Sequence, residues 1–256
     1  MEMVSKPDAD IMILADLISR DPMLSATIMK YANSPMYRRM VEVTSIRNAV
    51  SLLGLKNVST AVAVATMRSF NVPPNAATET IWEHSFGVSA LAKKIARHCC
   101  RRLADQIEFS AMVHDMGALV LAANFKDEYS TVMTQAINQQ QPLEKLEQES
   151  LGISHDQVLV KMAEDMRFPQ NTISVLSTFH AHEPLLDVKT DDKMQMAVLS
   201  LAHHLEHRAY GESRAPETIP DSVENLQKLL RISSETLDDI VEEYEDILSK
   251  QLAGSK

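Results

Sequence analysis

Residues 105–124 read DQIEFSAMVHDMGALVLAAN and place an adjacent histidine and aspartate, His114 and Asp115, inside a helical pattern of apolar side chains. Apolar residues return here about every 3.6 positions, which predicts an α-helix. The same period runs through almost every apolar stretch of the chain, and no alternating strand pattern of convincing length occurs. The sequence therefore predicts an all-α protein.

The predicted helices are short, and recognisable caps and breaks separate them. Asp21-Pro22 begins one helix, because an acidic cap followed by proline suits a helix start. Gly54 is expected to end another helix as a left-handed residue, and Asn57 to cap the next. The remaining helices are predicted at 8–19, 78–100, 105–124, 126–140, 142–151, 154–167, 170–181, 191–209, 221–230 and 233–250.

Composition narrows the class of protein. The 256 residues include 45% hydrophobic side chains but only 6 glycines and 5% aromatics, which argues against disorder and against a β-sandwich or barrel. A net charge of −10 disfavours nucleic-acid binding. We expect no signal peptide and no membrane span. Cys99 and Cys100 are adjacent and form no ordinary disulfide, so we expect a reducing, cytoplasmic location.

The histidines divide the chain into two parts. All 9 lie between positions 84 and 207, and Val72-Pro73-Pro74-Asn75 breaks the helical pattern before them. We expect residues 1–256 to form a single domain. It would contain an N-terminal helical lobe at about 1–74 and a histidine-bearing helical lobe at about 75–256.

His114 and Asp115 are the strongest candidates for a chemical site. Neighbours on a helix point about 100° apart, and both side chains can still reach one ion from a shared face. Imidazole and carboxylate ligands together suit Mn, Fe, Zn or Mg rather than a soft metal. Further histidines before and after the pair in the sequence strengthen this interpretation. They are His84, His155, His180, His182, His203 and His204.

Several motifs follow one another in an order typical of a known family. They are LISRDPML at 17–24, ANSP at 32–35, SIRNAVSLLG at 45–54, WEHS at 82–85, VHDMG at 113–117, GISH at 152–155 and HEP at 182–184. With them the chain resembles, over nearly its whole length, the HDOD domain family, relatives of the HD-domain phosphohydrolases. The resemblance implies a two-lobed, multi-helix HD-like fold and a bacterial signalling or regulatory role, usually without catalysis.

Position by position, the resemblance implies a degenerate HD-like metal site. Its ligands would be His84, His114, Asp115, His155, His182 and His203. His203 stands where HD proteins place a distal aspartate, and Ala118 stands where HD-GYP phosphodiesterases carry a lysine. The GYP loop is also missing. The loss of a carboxylate ligand and of a phosphate contact argues against an enzyme, so no catalytic or cofactor-binding residue is assigned.

Some histidines and basic residues have more than one interpretation. His180 and His182 are two positions apart and cannot share a helix face, so we assign His182 to the site. His203 and His207 share a face, and a zinc-like pair is the alternative to ordinary core roles. The basic run at 93–102 is interpreted as a solvated face beside the two thiols. Its alternatives are a phosphate or acidic-partner contact and a lowered thiol pKa.

Two functions of different class follow. The first is a non-enzymatic regulatory domain of signal transduction, which binds a signalling protein or a small signalling ligand at an HD-like cleft. The second is a metal-dependent phosphohydrolase that acts on a nucleotide or a cyclic dinucleotide. The sequence leaves open the oligomeric state and whether the chain is a piece of a longer protein.

Overall fold

Helices dominate the described structure, and no strand occurs in it. The computed structural model describes residues 11–18, 28, 31–32, 37, 46–68, 76–165, 170–180, 183–210 and 214–254. Its helices are α1 (Ile11–Ile18), α2 (Ile46–Arg68), α3 (Ala76–Cys99), α4 (Ala104–Val113), α5 (Met116–Gln139), α6 (Leu143–Leu151), α7 (His155–Asp165), α8 (Gln170–Leu176), α9 (Asp191–Tyr210), α10 (Val223–Leu230) and α11 (Ser234–Gly254), with a 3₁₀-helix at Arg101–Leu103. The all-α prediction is confirmed. Within the described ranges, no helix has both the length and the apolar character that a membrane span requires.

Contacts between residues divide the chain into two units. One unit comprises Met1–Asn71 with Glu245–Lys256, and the other comprises Val72–Tyr244. In the first unit α1 packs against α2. The predicted lobes at 1–74 and 75–256 stay a prediction.

Gly54 interrupts the helical geometry inside α2. Its φ of 72° is positive, as predicted, but its ψ of 163° lies outside the left-handed helical region that was expected for a C-cap. This backbone conformation is essentially restricted to glycine. Asn57, predicted to cap the following segment, lies inside it instead. Its side-chain amide donates to the Leu53 carbonyl oxygen at 2.6 Å.

The core of the second unit is built around α3. This helix packs against α4, α5 and α9, and α5 packs in turn against α6 and α7. Fully buried apolar side chains fill these contacts, among them Leu91, Ile95, Ile107, Met112, Leu199 and Leu201. The histidine-bearing helices therefore meet in the interior of this unit.

The prediction of one continuous helix at 105–124 is wrong. α4 ends at Val113 and α5 begins at Met116, with His114 and Asp115 in a turn between them. Asp115 has a φ of −102° and a ψ of 18°, and its carbonyl accepts from the Ala118 N–H at 3.0 Å. The apolar pattern crosses this turn unbroken because both helices bury their apolar faces.

The basic run at 93–102 is not the simple solvated face that the sequence predicts. Lys93 is only 3% exposed, and its Nζ donates to Glu108 Oε2 at 2.6 Å between α3 and α4. On the exposed side, Arg102 Nη1 donates to Asp191 Oδ2 at 2.8 Å. Two of the run's cations are therefore engaged within the molecule, which weakens the alternative of a phosphate contact.

Gly117 allows the start of α5 to lie directly against the start of α7. A Cβ at this position would lie 1.8 Å from the carbonyl oxygen of His155, and that obstacle is backbone. We therefore expect Gly117→Ala to displace α7 and to lower the free energy of unfolding by about 3 kcal/mol. Urea denaturation followed by circular dichroism measures this loss.

Gly152→Ala is the matched control for that substitution. Gly152 has a φ of 75°, but nothing lies within 4 Å of a Cβ placed there. We expect this control to lower the free energy of unfolding by only about 1 kcal/mol, because alanine is disfavoured at a positive φ. Equal losses in the two variants would contradict the close approach at Gly117.

Candidate functional site

Four predicted residues come together in the interior of the second unit. His84 lies on α3, His114 and Asp115 form the α4–α5 turn, and His203 lies on α9; all four are buried. His84 Nε2 is 3.2 Å from His114 Nε2 and 3.5 Å from Asp115 Oδ2. The three histidines offer ligand atoms within 4.8 Å of one another. We call these four residues the first cluster.

A second cluster consists of His155, His180 and Glu217. His155 begins α7, His180 follows α8, and Glu217 lies in the loop after α9. His155 Nε2 is 3.4 Å from His180 Nε2, which is 3.5 Å from Glu217 Oε2. One ligand atom from each residue lies within 4.8 Å of the others.

Glu217 links the two clusters. Its Oε2 lies 2.9 Å from His203 Nε2, and the carboxylate also forms a group with His84 and Asp115 whose ligand atoms lie within 4.8 Å. A single carboxylate therefore lies between two sets of imidazoles. Two ions bound at the two clusters would be neighbours.

Backbone carbonyls hold the outer nitrogen of one histidine in each cluster. His114 Nδ1 donates to the Ala111 carbonyl at 2.7 Å, and His180 Nδ1 donates to the Thr218 carbonyl at 3.1 Å. A proton on Nδ1 leaves Nε2 of the neutral ring as the nitrogen with a lone pair. Both Nε2 atoms face the clusters, the orientation that metal-binding histidines adopt.

Buried carboxylates hold the other two histidines in the same way. His84 Nδ1 donates to Glu206 Oε2 at 2.5 Å, and His155 Nδ1 donates to Glu147 Oε2 at 2.7 Å. Neither carboxylate is exposed. Carboxylates that support a ligand histidine from behind raise its basicity and fix its ring orientation.

These supporting carboxylates are themselves anchored. Arg214 donates to Glu206 Oε1 at 3.3 Å and to the Thr80 carbonyl at 3.0 Å. Tyr129 donates its hydroxyl to Glu147 Oε1 at 2.6 Å, while the backbone N–H of His155 donates to Oε2 at 2.7 Å. Each imidazole–carboxylate pair is therefore held by a further donor.

Burial and charge set the protonation of the clustered groups. Burial opposes the charged form of His84, but the charge and hydrogen bond of Glu206 outweigh it and raise the pKa to about 9. Burial lowers the pKa of His114 to about 4. At neutral pH a protonated His84 therefore donates from Nε2 to a neutral His114, and one proton lies between them. A divalent cation at this position would replace that proton.

The donor atoms fit a divalent metal ion. Two ligands about 2.1 Å from a tetrahedral ion lie roughly 3.4 Å apart, and the facing Nε2 pairs are separated by 3.2 and 3.4 Å. Asp115 Oδ1 lies 3.2 Å from His114 Nε2, yet it is buried without a hydrogen-bond partner in the described structure. Imidazole nitrogens with carboxylate oxygens suit Zn, Mn or Fe, whereas Mg prefers oxygen ligands alone.

Five of the six predicted ligands lie in the two clusters. The sixth, His182, lies outside the described residues. His180, which the sequence set aside in favour of His182, contacts His155 and Glu217. His207 belongs to no group of potential metal ligands among the described side chains.

The sequence predicted Asp115 but missed the three glutamates of the site. Glu217 stands in a loop beside Pro216, where no periodicity marks it as buried. Glu206 follows His203 on α9 but completes no familiar hydrolase motif, so the pattern gave it no role. Glu147 offered little signal, because it lies 8 residues before His155 and on the preceding helix.

Glu206 is expected to be important for stability, because its removal takes the buried carboxylate away from both His84 and Arg214. Breaking one side of a buried charge pair costs roughly 3–5 kcal/mol, so Glu206→Ala should lose that much in urea denaturation. Glu242→Ala, on the exposed face of α11, is the control and should change stability by no more than about 0.5 kcal/mol. A loss as small as that of the control would show that Glu206 is dispensable.

Comparison with known proteins identifies the fold. A candidate signal transduction protein from Marinobacter aquaeolei VT8 has a similar structure, with a TM-score of 0.73 and 20% identity; the match covers 100% of this chain and 57% of that chain. A candidate metal-dependent phosphohydrolase from Shewanella amazonensis SB2B matches with a TM-score of 0.64 and 21% identity, covering 96% of this chain and 86% of that one. No functionally curated protein shows significant sequence similarity.

The family assignment rests on a match in sequence, and a further similar structure agrees with it. An HDOD domain protein of unknown function from Geobacter sulfurreducens has a TM-score of 0.66 and 21% identity, with 98% of this chain and 85% of that chain covered. The family model described as the HDOD domain matches residues 1–183. The resemblance inferred from the sequence motifs is thereby confirmed: the chain belongs to the HDOD domain family.

Proposed function

We propose that this chain is a regulatory domain of signal transduction that binds divalent metal ions at its two clusters and acts without catalysis. A metal-loaded and a metal-free form would present different surfaces to a signalling protein or a small signalling ligand. The proposal combines the family, the structural likeness to a candidate signal transduction protein and the geometry of the clusters.

One observation carries the metal part of the proposal. Four buried imidazoles hold their Nδ1 atoms against fixed acceptors and direct Nε2 toward shared carboxylates. A core histidine that served only packing would need one hydrogen bond and no convergence on other ligands. Convergence of this kind is what a metal centre requires, because every ligand must be oriented before the ion binds.

The clusters join parts of the chain that are distant in sequence. The first cluster draws on α3, the α4–α5 turn and α9, and the second draws on α7 and the loop that carries Glu217. Binding of a cation would tie these elements to one another. If the two states of the domain bind the cation with different affinity, occupancy shifts the balance between them.

Two described positions near the clusters, Ala118 and Arg214, offer no cation to a substrate phosphate, and this favours regulation over hydrolysis. Ala118, which follows the His-Asp-Met-Gly segment, is 1% exposed and offers no charge. The buried Arg214 is engaged behind His84 with Glu206 and the Thr80 carbonyl. Phosphoryl transfer relies on positive groups that stabilise the developing charge, and these two positions do not supply one.

Metal content tests the proposal directly. Protein purified without added metal or chelator, then supplied with Zn or Mn and desalted, should retain about one divalent ion per cluster by inductively coupled plasma mass spectrometry. His114→Ala should lose the ion of the first cluster. His98→Ala, an exposed histidine on α3, is the control and should bind like the wild type. A wild-type protein that retains no ion under these conditions contradicts the proposal.

The shared carboxylate predicts an unequal effect of two substitutions. His180→Ala removes a ligand from the second cluster only, so titration calorimetry should show loss of one binding event. Glu217→Ala removes a ligand that faces both clusters, so both binding events should weaken, by about tenfold or more each. If each variant lost only one metal-binding event, Glu217 would be a ligand of one cluster alone.

A metal-dependent phosphohydrolase is the second candidate, and the shared Glu217 is the observation that favours it. Two neighbouring divalent ions can activate water and stabilise phosphoryl oxygens. The metal-loaded protein can be assayed with bis(4-nitrophenyl) phosphate and with cyclic dinucleotides. Turnover that disappears in His114→Ala but persists in His98→Ala would support hydrolysis. Metal binding without turnover supports the regulatory function.

A further inference from the structure

α3 ends in a pair of adjacent cysteines that belongs to neither cluster. Cys99 is the last residue of α3, and Cys100 leaves the helix with a φ of −153° and a ψ of 55°. This change of backbone direction brings the two Sγ atoms to 3.6 Å from each other. Both residues are half-buried, so reagents in solution can reach them.

The separation of the sulfur atoms suits chelation of one ion better than a disulfide. A disulfide requires about 2.05 Å between the sulfur atoms. Two thiolates bound at about 2.3 Å to one tetrahedral ion lie roughly 3.7 Å apart. The observed 3.6 Å therefore needs almost no movement to hold an ion, whereas a disulfide would require the sulfur atoms to close by more than a third of their separation.

The hydrogen bonding favours the thiolate form of Cys100. The Cys99 thiol has two acceptors within reach, the Ile95 carbonyl oxygen at 3.3 Å and Cys100 Sγ at 3.6 Å. Donation to Cys100 lowers the pKa of Cys100 against the effect of burial, with help from the charge of Arg102. The same bond and burial raise the pKa of Cys99. The negative end of the α3 dipole also disfavours a second free thiolate. A bound cation would take the place of the shared proton and neutralise both thiolates.

We propose that Cys99 and Cys100 form a bidentate dithiolate site for a soft, thiophilic ion, of which trivalent arsenic is the representative. The donor set separates this site from the two histidine clusters. Thiolates bind soft ions, and although they also bind Zn, a structural zinc ion takes four ligands and this pair supplies only two. Imidazole and carboxylate groups together suit Zn, Mn or Fe. The proposal does not depend on the regulatory function assigned to the clusters.

Phenylarsine oxide is a suitable probe for the site. Its arsenic is trivalent, and it condenses with two thiols to give a cyclic dithioarsenite and one water molecule. Two S–H bonds and the As–O bond break, two As–S bonds form, and the two thiol protons leave in the water. Arsenic and sulfur keep their oxidation states, so no oxidant or reductant takes part.

The experiment measures the adduct by intact mass spectrometry on the full chain reduced with a phosphine. The chain has only 2 cysteines, so an adduct on a monomer reports this pair. We expect one phenylarsenic group per chain that survives a wash with excess glutathione and is removed by a dithiol. Cys99→Ser and Cys100→Ser should each lose the wash-resistant adduct, while circular dichroism shows that both variants remain folded.

His114→Ala provides the control for the other site. It should keep the arsenical adduct, and the two serine variants should keep the Zn or Mn bound by the clusters. The proposal is overturned by an adduct that glutathione removes equally from wild type and variants. It is also overturned by an adduct that cross-links two chains, because the pair would then not chelate one ion within a monomer.

Discussion

The structure of the second unit depends on the pairing of buried imidazoles with buried carboxylates. An unpaired charge in a helical core is costly, and a half-satisfied polar network is worse than an apolar one. Here each histidine of the clusters has a fixed partner, and Glu217 accepts from His203 between the two clusters. Three features of the fold make this pairing possible because they bring α3, α5, α7 and α9 together. They are the α4–α5 turn, the close approach at Gly117 and the burial of Arg214.

Helical periodicity predicted the fold but not the turn on which the site depends. The all-α architecture follows from apolar spacing, and Gly54 has the positive φ that the sequence predicts, although not the left-handed helical ψ. The turn at His114 and Asp115 escapes the pattern because both flanking helices are apolar at that end. Four of the five clustered histidines were predictable from their residue type and order: His84, His114, His155 and His203. Glu217 and His180 were not, since a loop position depends on long-range contacts that no local pattern encodes.

The position of Glu217 alters the conclusion drawn from the missing distal carboxylate. The resemblance to HD proteins implies a weakened site, because His203 stands in place of an aspartate. In the folded chain Glu217, from the loop after α9, contacts His203 and supplies a carboxylate to the first cluster. The donor set therefore fits a divalent ion, while neither Ala118 nor the engaged Arg214 replaces the phosphate-binding lysine. A metal-binding regulatory domain agrees with both observations.

X-ray absorption at the zinc edge of the zinc-loaded protein tests the central claim most directly. We predict nitrogen and oxygen neighbours at about 2.0–2.1 Å, with the outer-shell scattering of several imidazole rings and no sulfur neighbour at about 2.3 Å. The Cys99→Ser variant should give the same spectrum. A spectrum dominated by sulfur, or one without imidazole scattering, would contradict metal binding by the two clusters.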